Sequence, residues 1–149
     1  MKILVQTETF DLGSEVAAIS RGRTGIGAIA SFVGLARDTN SGRNVQAMTL
    51  EHYPAMTEKA LSAIMEEAKQ RWSLLDITVI HRAGRMLPGD PIVLVIVASA
   101  HRGEAFAACE FLMDYLKTRA PFWKKEETPD GERWVDARAS DDAAADRWR

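Results

Sequence analysis

Cysteine is almost missing from this chain, which has one, Cys109, among 149 residues. A single thiol excludes an internal disulfide and a multi-cysteine metal site, as is usual in a reducing compartment. Long apolar runs are missing too, because the longest, residues 92–98, is far shorter than the roughly 20 residues of a membrane-spanning helix. Residues 1–8 also lack the pattern of a secretory signal. We therefore expect a cytoplasmic protein that binds no membrane.

Charge of one sign is not in excess. The 19 basic and 21 acidic residues leave a net charge of −2, which favours neither nucleic acid nor an anionic surface as a partner. Any anion-binding site must therefore be local. The chain also lacks the GxSxG, Walker and dinucleotide-binding glycine motifs, which excludes several common enzyme classes.

The length and hydrophobic content favour one domain over residues 1–149. A chain of this length with 46% hydrophobic residues can bury one core, but it is too short for two ordinary domains. Hydrophobic periodicity predicts helices at 12–20, 57–72, 103–119 and 141–148. It predicts strands at 2–6, 25–33, 45–53, 77–82, 92–99, 123–128 and 133–137.

The connections between these segments indicate the fold class. The last two strands flank Pro129-Asp130-Gly131, which predicts a hairpin. The short link between strands 77–82 and 92–99 implies antiparallel pairing, and the polar stretch 38–44 is predicted to be a mobile loop. The sequence therefore predicts an α+β domain with a largely antiparallel sheet and interspersed helices.

Lys117 is the first candidate for chemistry. At about 100° per residue it falls beside Met113 and Leu116, at the edge of the apolar stripe of the predicted helix 103–119. Partial burial or a neighbouring cation would lower its pKa and make the amine a usable acid, base or nucleophile. The alternative, which the pattern alone favours, is a structural lysine whose methylenes cover the core edge.

Two further groups of charged residues stand at the ends of predicted elements. Lys124 and Lys125 follow an aromatic pair, a pattern that as a bare charge cluster is typical of a solvated strand edge. His101 and Arg102 open the long helix, where free N–H groups favour an anion and a guanidinium suits phosphate. An exposed loop pair is an equal alternative there. Arg37 is a further anion contact, with an ordinary surface arginine as its alternative.

Metal and thiol chemistry are not expected. The histidines His52, His81 and His101 lie on separate segments without an i, i+4 pair, so we expect locally hydrogen-bonded side chains and no metal site. Cys109 lies on the apolar face of its helix, where a thiolate is disfavoured, so we do not assign it as a nucleophile.

A series of short segments occurs in one order along the chain. They include Leu50-Glu51-His52-Tyr53-Pro54, Ile80-His81-Arg82-Ala83-Gly84, Pro88-Gly89-Asp90, Ser99-Ala100-His101-Arg102, Asp114-Tyr115-Leu116-Lys117 and Pro121-Phe122-Trp123-Lys124-Lys125-Glu126. Taken together, these segments resemble the molybdopterin synthase large-subunit family over roughly residues 29–148. Residues 1–24 match poorly, and Ala55 stands where the family commonly has glycine.

The resemblance implies a sulfurtransferase of molybdenum cofactor biosynthesis. Such an enzyme converts a cyclic pyranopterin monophosphate into molybdopterin by adding two sulfurs, and it needs no metal or organic cofactor. The resemblance implies Lys117 and Lys124 as catalytic residues. The substrate-binding positions that it implies are those two lysines together with Leu35, Ala36, Arg37, His101, Arg102, Lys125 and Glu126.

The resemblance also implies protein partners. Sulfur would come from the thiocarboxylate at the Gly-Gly end of a small ubiquitin-like subunit, in a heterotetramer built on a homodimer of large subunits. A helix rise of 1.5 Å per residue separates His101 from Lys117 by about 24 Å. One pocket that uses both therefore needs His101 and Arg102 from the second large subunit. The alternative function is a non-catalytic anion- or nucleotide-binding regulatory dimer.

Overall fold

A computed structural model describes residues 1–136 and 138–149. The end of the strand predicted at 133–137 falls on Ala137, outside the described residues. None of the helices in the described ranges is both long and apolar enough to cross a membrane.

The first sheet forms the core of the molecule. Its strands are, in spatial order, β1 (Lys2–Gln6), β6 (Asp76–Arg82), β8 (Pro91–Ser99) and β2 (Ala28–Leu35). β1 pairs with β6 in parallel, while β6 and β2 flank β8 in antiparallel pairing. All of β8 from Val93 onward is buried, so it lies in the interior on both of its faces. A strand covered on both faces carries a continuous apolar run, as β8 does.

Helices cover both faces of this sheet. α2 (Pro54–Arg71) and α3 (Arg102–Arg119) pack on the face that presents Val93, Val95 and Val97. α1 (Leu12–Ser20) packs on the opposite face through Ile19, against residues that include Leu94 and Ile96. α4 (Ala139–Asp146) packs against α3. The alternation of side chains along β8 thus feeds two separate apolar clusters.

A second sheet carries most of the charged residues of interest. Its spatial order is β10 (Gly131–Val135), β9 (Phe122–Thr128), β5 (Ala47–His52) and β7 (Gly84–Met86), all antiparallel. A small cluster of Ala36, Met48, Leu50 and Met86 lies against one face.

The predicted α+β fold, antiparallel apart from β1–β6, is confirmed. The first strand and first helix have the predicted bounds, and the hairpin of β9 and β10 is present. The helix predicted from residue 57 begins instead at Pro54, because proline is well accommodated in the first turn.

Two segments contain strands that were not predicted. The stretch 38–44 was predicted to be a loop, but it contains a hairpin of β3 (Thr39–Asn40) and β4 (Arg43–Asn44). Its turn residues Ser41 and Gly42 have φ of 52° and 77°, the positive values that a two-residue hairpin turn needs. Strand β7, only three residues long, was not predicted because it is too short to show a period.

Candidate active site

Lys117 and Lys124 lie on either side of one junction, which joins α3 to β9 through Ala120 and Pro121. Lys117 is in the last turn of α3 and is exposed, whereas Lys124 is half-buried in β9. Burial lowers the pKa of Lys124 below its ordinary value, and the positive charge of Lys117 lowers it further. A lysine with a lowered pKa is the kind that can exchange protons near neutrality.

Two arginines complete this positive cluster. Arg37 follows β2 and Arg138 precedes α4, and the charge of each contributes to the lowered pKa of Lys124. Four cations from four separate segments of the chain therefore face one region. Such a concentration of positive charge suits a phosphate or another anionic group.

Glu126 is the counter-charge of the cluster, and it is only 2% exposed. Its Oε1 accepts a hydrogen bond from Arg133 at 3.0 Å, and its Oε2 accepts one from the Asn40 amide at 3.0 Å. The Lys124 ammonium is 3.9 Å from Oε2, and its pKa is raised by this carboxylate in opposition to burial. A buried carboxylate held by several donors is a fixed element of the site.

An aromatic stack lies within the influence of the charge of Lys117. The ring of His81 lies flat on Phe122, with ring centroids 3.8 Å apart, and His52 packs against Phe122 at 5.7 Å. Burial lowers the pKa of His81 to about 4, and the charges of Lys117 and His52 lower it in the same direction. Its Nδ1 lies 2.8 Å from the carbonyl oxygen of Arg82, which assigns the proton to Nδ1. His81 is therefore neutral at physiological pH.

The structure brings together Lys117, Lys124, Arg37 and Glu126 among the residues predicted for the site. Lys125 points away, because neighbouring residues of a strand alternate between its faces. Its amine is 3.5 Å from a carboxylate oxygen of Glu132 and 5.6 Å from the ring centroid of Trp134.

The other predicted positions are arranged differently. Leu35 is 54% exposed, while Ala36 is buried against the second sheet. His101 and Arg102 are exposed at the opposite end of the 18-residue helix α3 from Lys117. Within one chain they do not reach the lysine cluster, and their part in the site stays a prediction.

Arg138, Asn40, Arg133 and His81 were not predicted as part of this region. Asn40 lies in a polar stretch that reads as a solvated loop, and Arg133 and Arg138 read as ordinary surface arginines. Glu126 could have pointed to these residues, because a carboxylate on the buried face of a strand needs hydrogen-bond donors from elsewhere in the chain. His52 and His81 do have the local hydrogen bonds that were expected of them.

Cys109 lies in surroundings that keep its thiol protonated. Burial raises the pKa of the Cys109 thiol to about 11, so the thiolate is disfavoured as predicted. Groups of three or more potential metal ligands are not found among the described side chains.

Comparison with known proteins shows the family of this chain. The family model described as MoaE protein matches residues 5–119, more than half of the chain. The chain belongs to the MoaE protein family. The model ends before Lys124, but similarity to individual MoaE proteins continues through that residue, as their coverage shows.

Three MoaE relatives illustrate the coverage. A protein of Ralstonia nicotianae named molybdopterin synthase catalytic subunit is 63% identical over 146 residues, covering 98% of this chain and 83% of the relative. One of the same name from Pseudomonas aeruginosa is 60% identical and covers 99% of both. The solved structure of a molybdopterin biosynthesis MoaE protein from Burkholderia ambifaria is 60% identical, with a TM-score of 0.85, and covers 99% of this chain and 97% of that one.

Proposed function

We propose that this chain is the catalytic subunit of a molybdopterin synthase, a sulfurtransferase of molybdenum cofactor biosynthesis. The observation that carries the proposal is the cluster of Lys117 and Lys124 with Arg37 and Arg138, in a chain whose relatives bear that name. The substrate is a cyclic pyranopterin monophosphate and the product is molybdopterin. Cytoplasmic location is part of the proposal, and cell fractionation tests it.

The reaction adds two sulfurs, and each addition has the same balance. The sulfur of a thiocarboxylate forms a bond to a carbon of the pterin, and a carbon–oxygen bond at that carbon breaks. The displaced oxygen leaves as water or stays on the phosphate as its ring opens. Water then hydrolyses the acyl–sulfur bond. The donor leaves as an ordinary carboxylate. Lys117 and Lys124 stabilise the negative charge that develops and transfer the protons, while the arginines hold the phosphate. The lowered pKa of Lys124 supports its part in proton transfer.

The sulfur donor is the carboxyl-terminal Gly-Gly of a small ubiquitin-like subunit. An extended tail of two glycines fits a narrow approach, because glycine has no side chain to hinder it. Deletion of these two residues from the small subunit should abolish sulfur transfer. Transfer that survives the deletion would contradict this mode of delivery.

The complete site needs two large subunits, in a homodimer with one small subunit at each end. The length of α3 supports the need for two large subunits, because it holds His101 and Lys117 about 24 Å apart, too far for one small pterin. The anion-binding pair His101 and Arg102 is therefore supplied by the second large subunit. Leu35, Ala36 and Glu126 remain proposed substrate-binding positions. Lys125 is proposed as an outer contact of small effect, because its amine pairs with Glu132 on the face of β9 opposite Lys124.

Mixing experiments test the composite site. Homodimers of Arg102→Ala and of Lys117→Ala should each be nearly inactive. In a heterodimer of the two, one site carries both defects and the other is intact, so activity should return to about half of the wild-type value per dimer. Failure to recover, with subunit exchange demonstrated, would place all these residues in one chain's pocket or remove Arg102 from the site.

The decisive experiment is conversion by the purified components. The chain is incubated with the thiocarboxylated small subunit and the cyclic pterin, and molybdopterin is measured. The control is the small subunit with an ordinary carboxylate. The rival function, a regulatory dimer that binds an anion or nucleotide, predicts tight pterin binding without conversion.

A further inference from the structure

Asn40 is the buried residue of an otherwise exposed hairpin. It is 6% exposed, whereas the other five residues of the hairpin 39–44 are exposed. Both ends of its amide are engaged, because the nitrogen donates to Oε2 of Glu126 at 3.0 Å and the oxygen accepts from Arg138. These two bonds fix the amide in one orientation.

The position of this amide decides what Lys124 can do. Arg133 donates to Oε1 of Glu126, and Asn40 donates to Oε2, which is the oxygen paired with Lys124. The Lys124 ammonium, at 3.9 Å, lies beyond hydrogen-bonding distance of the oxygen that Asn40 occupies. An ammonium in direct contact with a buried carboxylate would be held there by a charge-assisted bond and would be less available to substrate.

We propose that Asn40 is a positioning residue for the sulfur-transfer reaction. It bridges Glu126 to Arg138, keeps the amine of Lys124 out of a direct hydrogen bond with Glu126, and holds Arg138 at the site. This inference rests on the proposed function. Since the hairpin begins two residues after Arg37, docking of Asn40 also fixes where the Arg37 backbone enters the site.

The charges that surround Lys124 determine how a substitution of Asn40 should change the pKa of Lys124. Glu126 faces Lys124 from its own strand, and Arg133 on β10 neutralises part of that carboxylate. The cations on the other elements are Lys117 on α3, Arg37 after β2 and Arg138 before α4. An aspartate in place of Asn40 adds a second carboxylate to this set and removes the donor to Glu126. Both changes favour the charged form of Lys124.

The test uses Asn40→Asp and Asn40→Ala in the complete complex with the small subunit. The matched control is Asn44→Asp, which adds the same charge to the same hairpin at an exposed position. The titration of Lys124 is followed by NMR of 13C-labelled lysine, with its signal assigned from Lys124→Arg. The kcat and KM for the cyclic pterin are measured as functions of pH.

Asn40→Asp should move the titration of Lys124 to higher pH by about one pH unit or more. The part of the pH profile of kcat that depends on Lys124 should move by the same amount. Asn40→Ala should lower kcat by roughly tenfold to a hundredfold with KM changed much less, because Lys124 then bonds the vacated oxygen. Asn44→Asp should match the wild-type chain in both measurements.

An Asn40→Asp chain with the wild-type titration of Lys124 would overturn the inference. So would a folded Asn40→Ala chain with wild-type kcat, or a control variant that shifts Lys124 equally. The titration needs no turnover, so it separates this inference from the proposed function. A complex that makes no molybdopterin but shows the shift contradicts the function and leaves the coupling through Asn40 in place.

Discussion

The two sheets of this molecule use buried strands in opposite ways. In the first sheet, the inner strand β8 is buried on both faces by apolar side chains, and each face meets a helix layer. In the second sheet, the inner strand β9 buries a carboxylate, Glu126, and half-buries Lys124. Apolar burial stabilises the fold, whereas buried charges cost desolvation energy and are retained where chemistry needs them. Stability and activity are therefore expected to respond to different substitutions.

The substitution Lys117→Ala should separate activity from stability most clearly. We expect the rate to fall by roughly a hundredfold to ten-thousandfold, the range for loss of a proton-transferring group. Stability should change little, since Lys117 is exposed at the end of α3. The measurements are single-turnover synthesis with saturating small subunit and thermal unfolding. Lys59→Ala, at an exposed lysine of α2, is the control. Lys124→Ala should also be slow, and near-normal rates in both variants would remove the lysine mechanism.

The converse result is expected from Ile96→Ala in β8. Ile96 is fully buried, so truncation should lower the free energy of unfolding by roughly 2–5 kcal/mol. The rate per folded molecule should stay near that of the wild-type chain. Denaturant unfolding and kinetics at low temperature measure the two effects. Ser31, its register partner on β2, is exposed, and Ser31→Ala should change stability by less than about 0.5 kcal/mol. Equal losses of stability in both variants would show that the buried side chains of β8 do not dominate the stability of the first sheet.

His81 joins the two regions, since it lies on β6 of the first sheet and stacks on Phe122 of the second. Its pKa falls to about 4 in the folded protein, chiefly through burial, against an ordinary value of 6.5. Between these values the unfolded chain binds the proton and the folded chain does not. The contribution of His81 to the free energy of unfolding is therefore fully present above about pH 6.5 and is lost as the pH falls to about 4. The loss is about 3 kcal/mol.

The variant His81→Asn tests this pH dependence because it keeps a donor for the carbonyl of Arg82 but does not titrate. Urea unfolding of the wild-type and His81→Asn chains from pH 4 to 7 gives the difference in their free energies of unfolding. The wild-type chain should lose more stability than the variant as the pH falls. Parallel curves would show that His81 does not titrate in the way its burial implies.

The smallest effect is expected from Lys125→Ala. Its amine is paired with Glu132 on the face of β9 that is turned away from Lys124. The kcat/KM for the cyclic pterin should fall by less than about fivefold, the scale of a partly exposed ion pair. A loss as large as that of Lys124→Ala would show that both faces of β9 contact substrate.

Prediction from sequence succeeded where a local pattern carried the information. The strand Lys2–Gln6 and the helix Leu12–Ser20 follow from periodicity alone, and Asp11 caps that helix through the N–H of Ser14 at 2.8 Å. The position of Lys117 at the edge of an apolar stripe was also local information. The resemblance to a family supplied its pairing with Lys124, which no spacing rule indicates.

The remaining part of the site depends on contacts that no local pattern encodes. Asn40 meets Glu126 across 86 positions of the chain and Arg138 across 98. The burial of Glu126 depends on its contacts with Asn40 and Arg133, and the inward direction of Asn40 depends on a hairpin turn that was not recognised. These are properties of tertiary packing, so they became visible only in the structure.

The short junction between α3 and β9 has a consequence for how the molecule gains its activity during folding. Lys117 and Lys124 are seven residues apart, so they meet as soon as these two neighbouring elements form. The bridge from Glu126 through Asn40 to Arg138 closes very long loops, and such non-local contacts form late because loop closure costs entropy. A partly folded chain would therefore bring both lysines to the same junction before their surroundings are in place. We expect chemical competence to arise only once these long-range contacts have closed, well after the helices have formed.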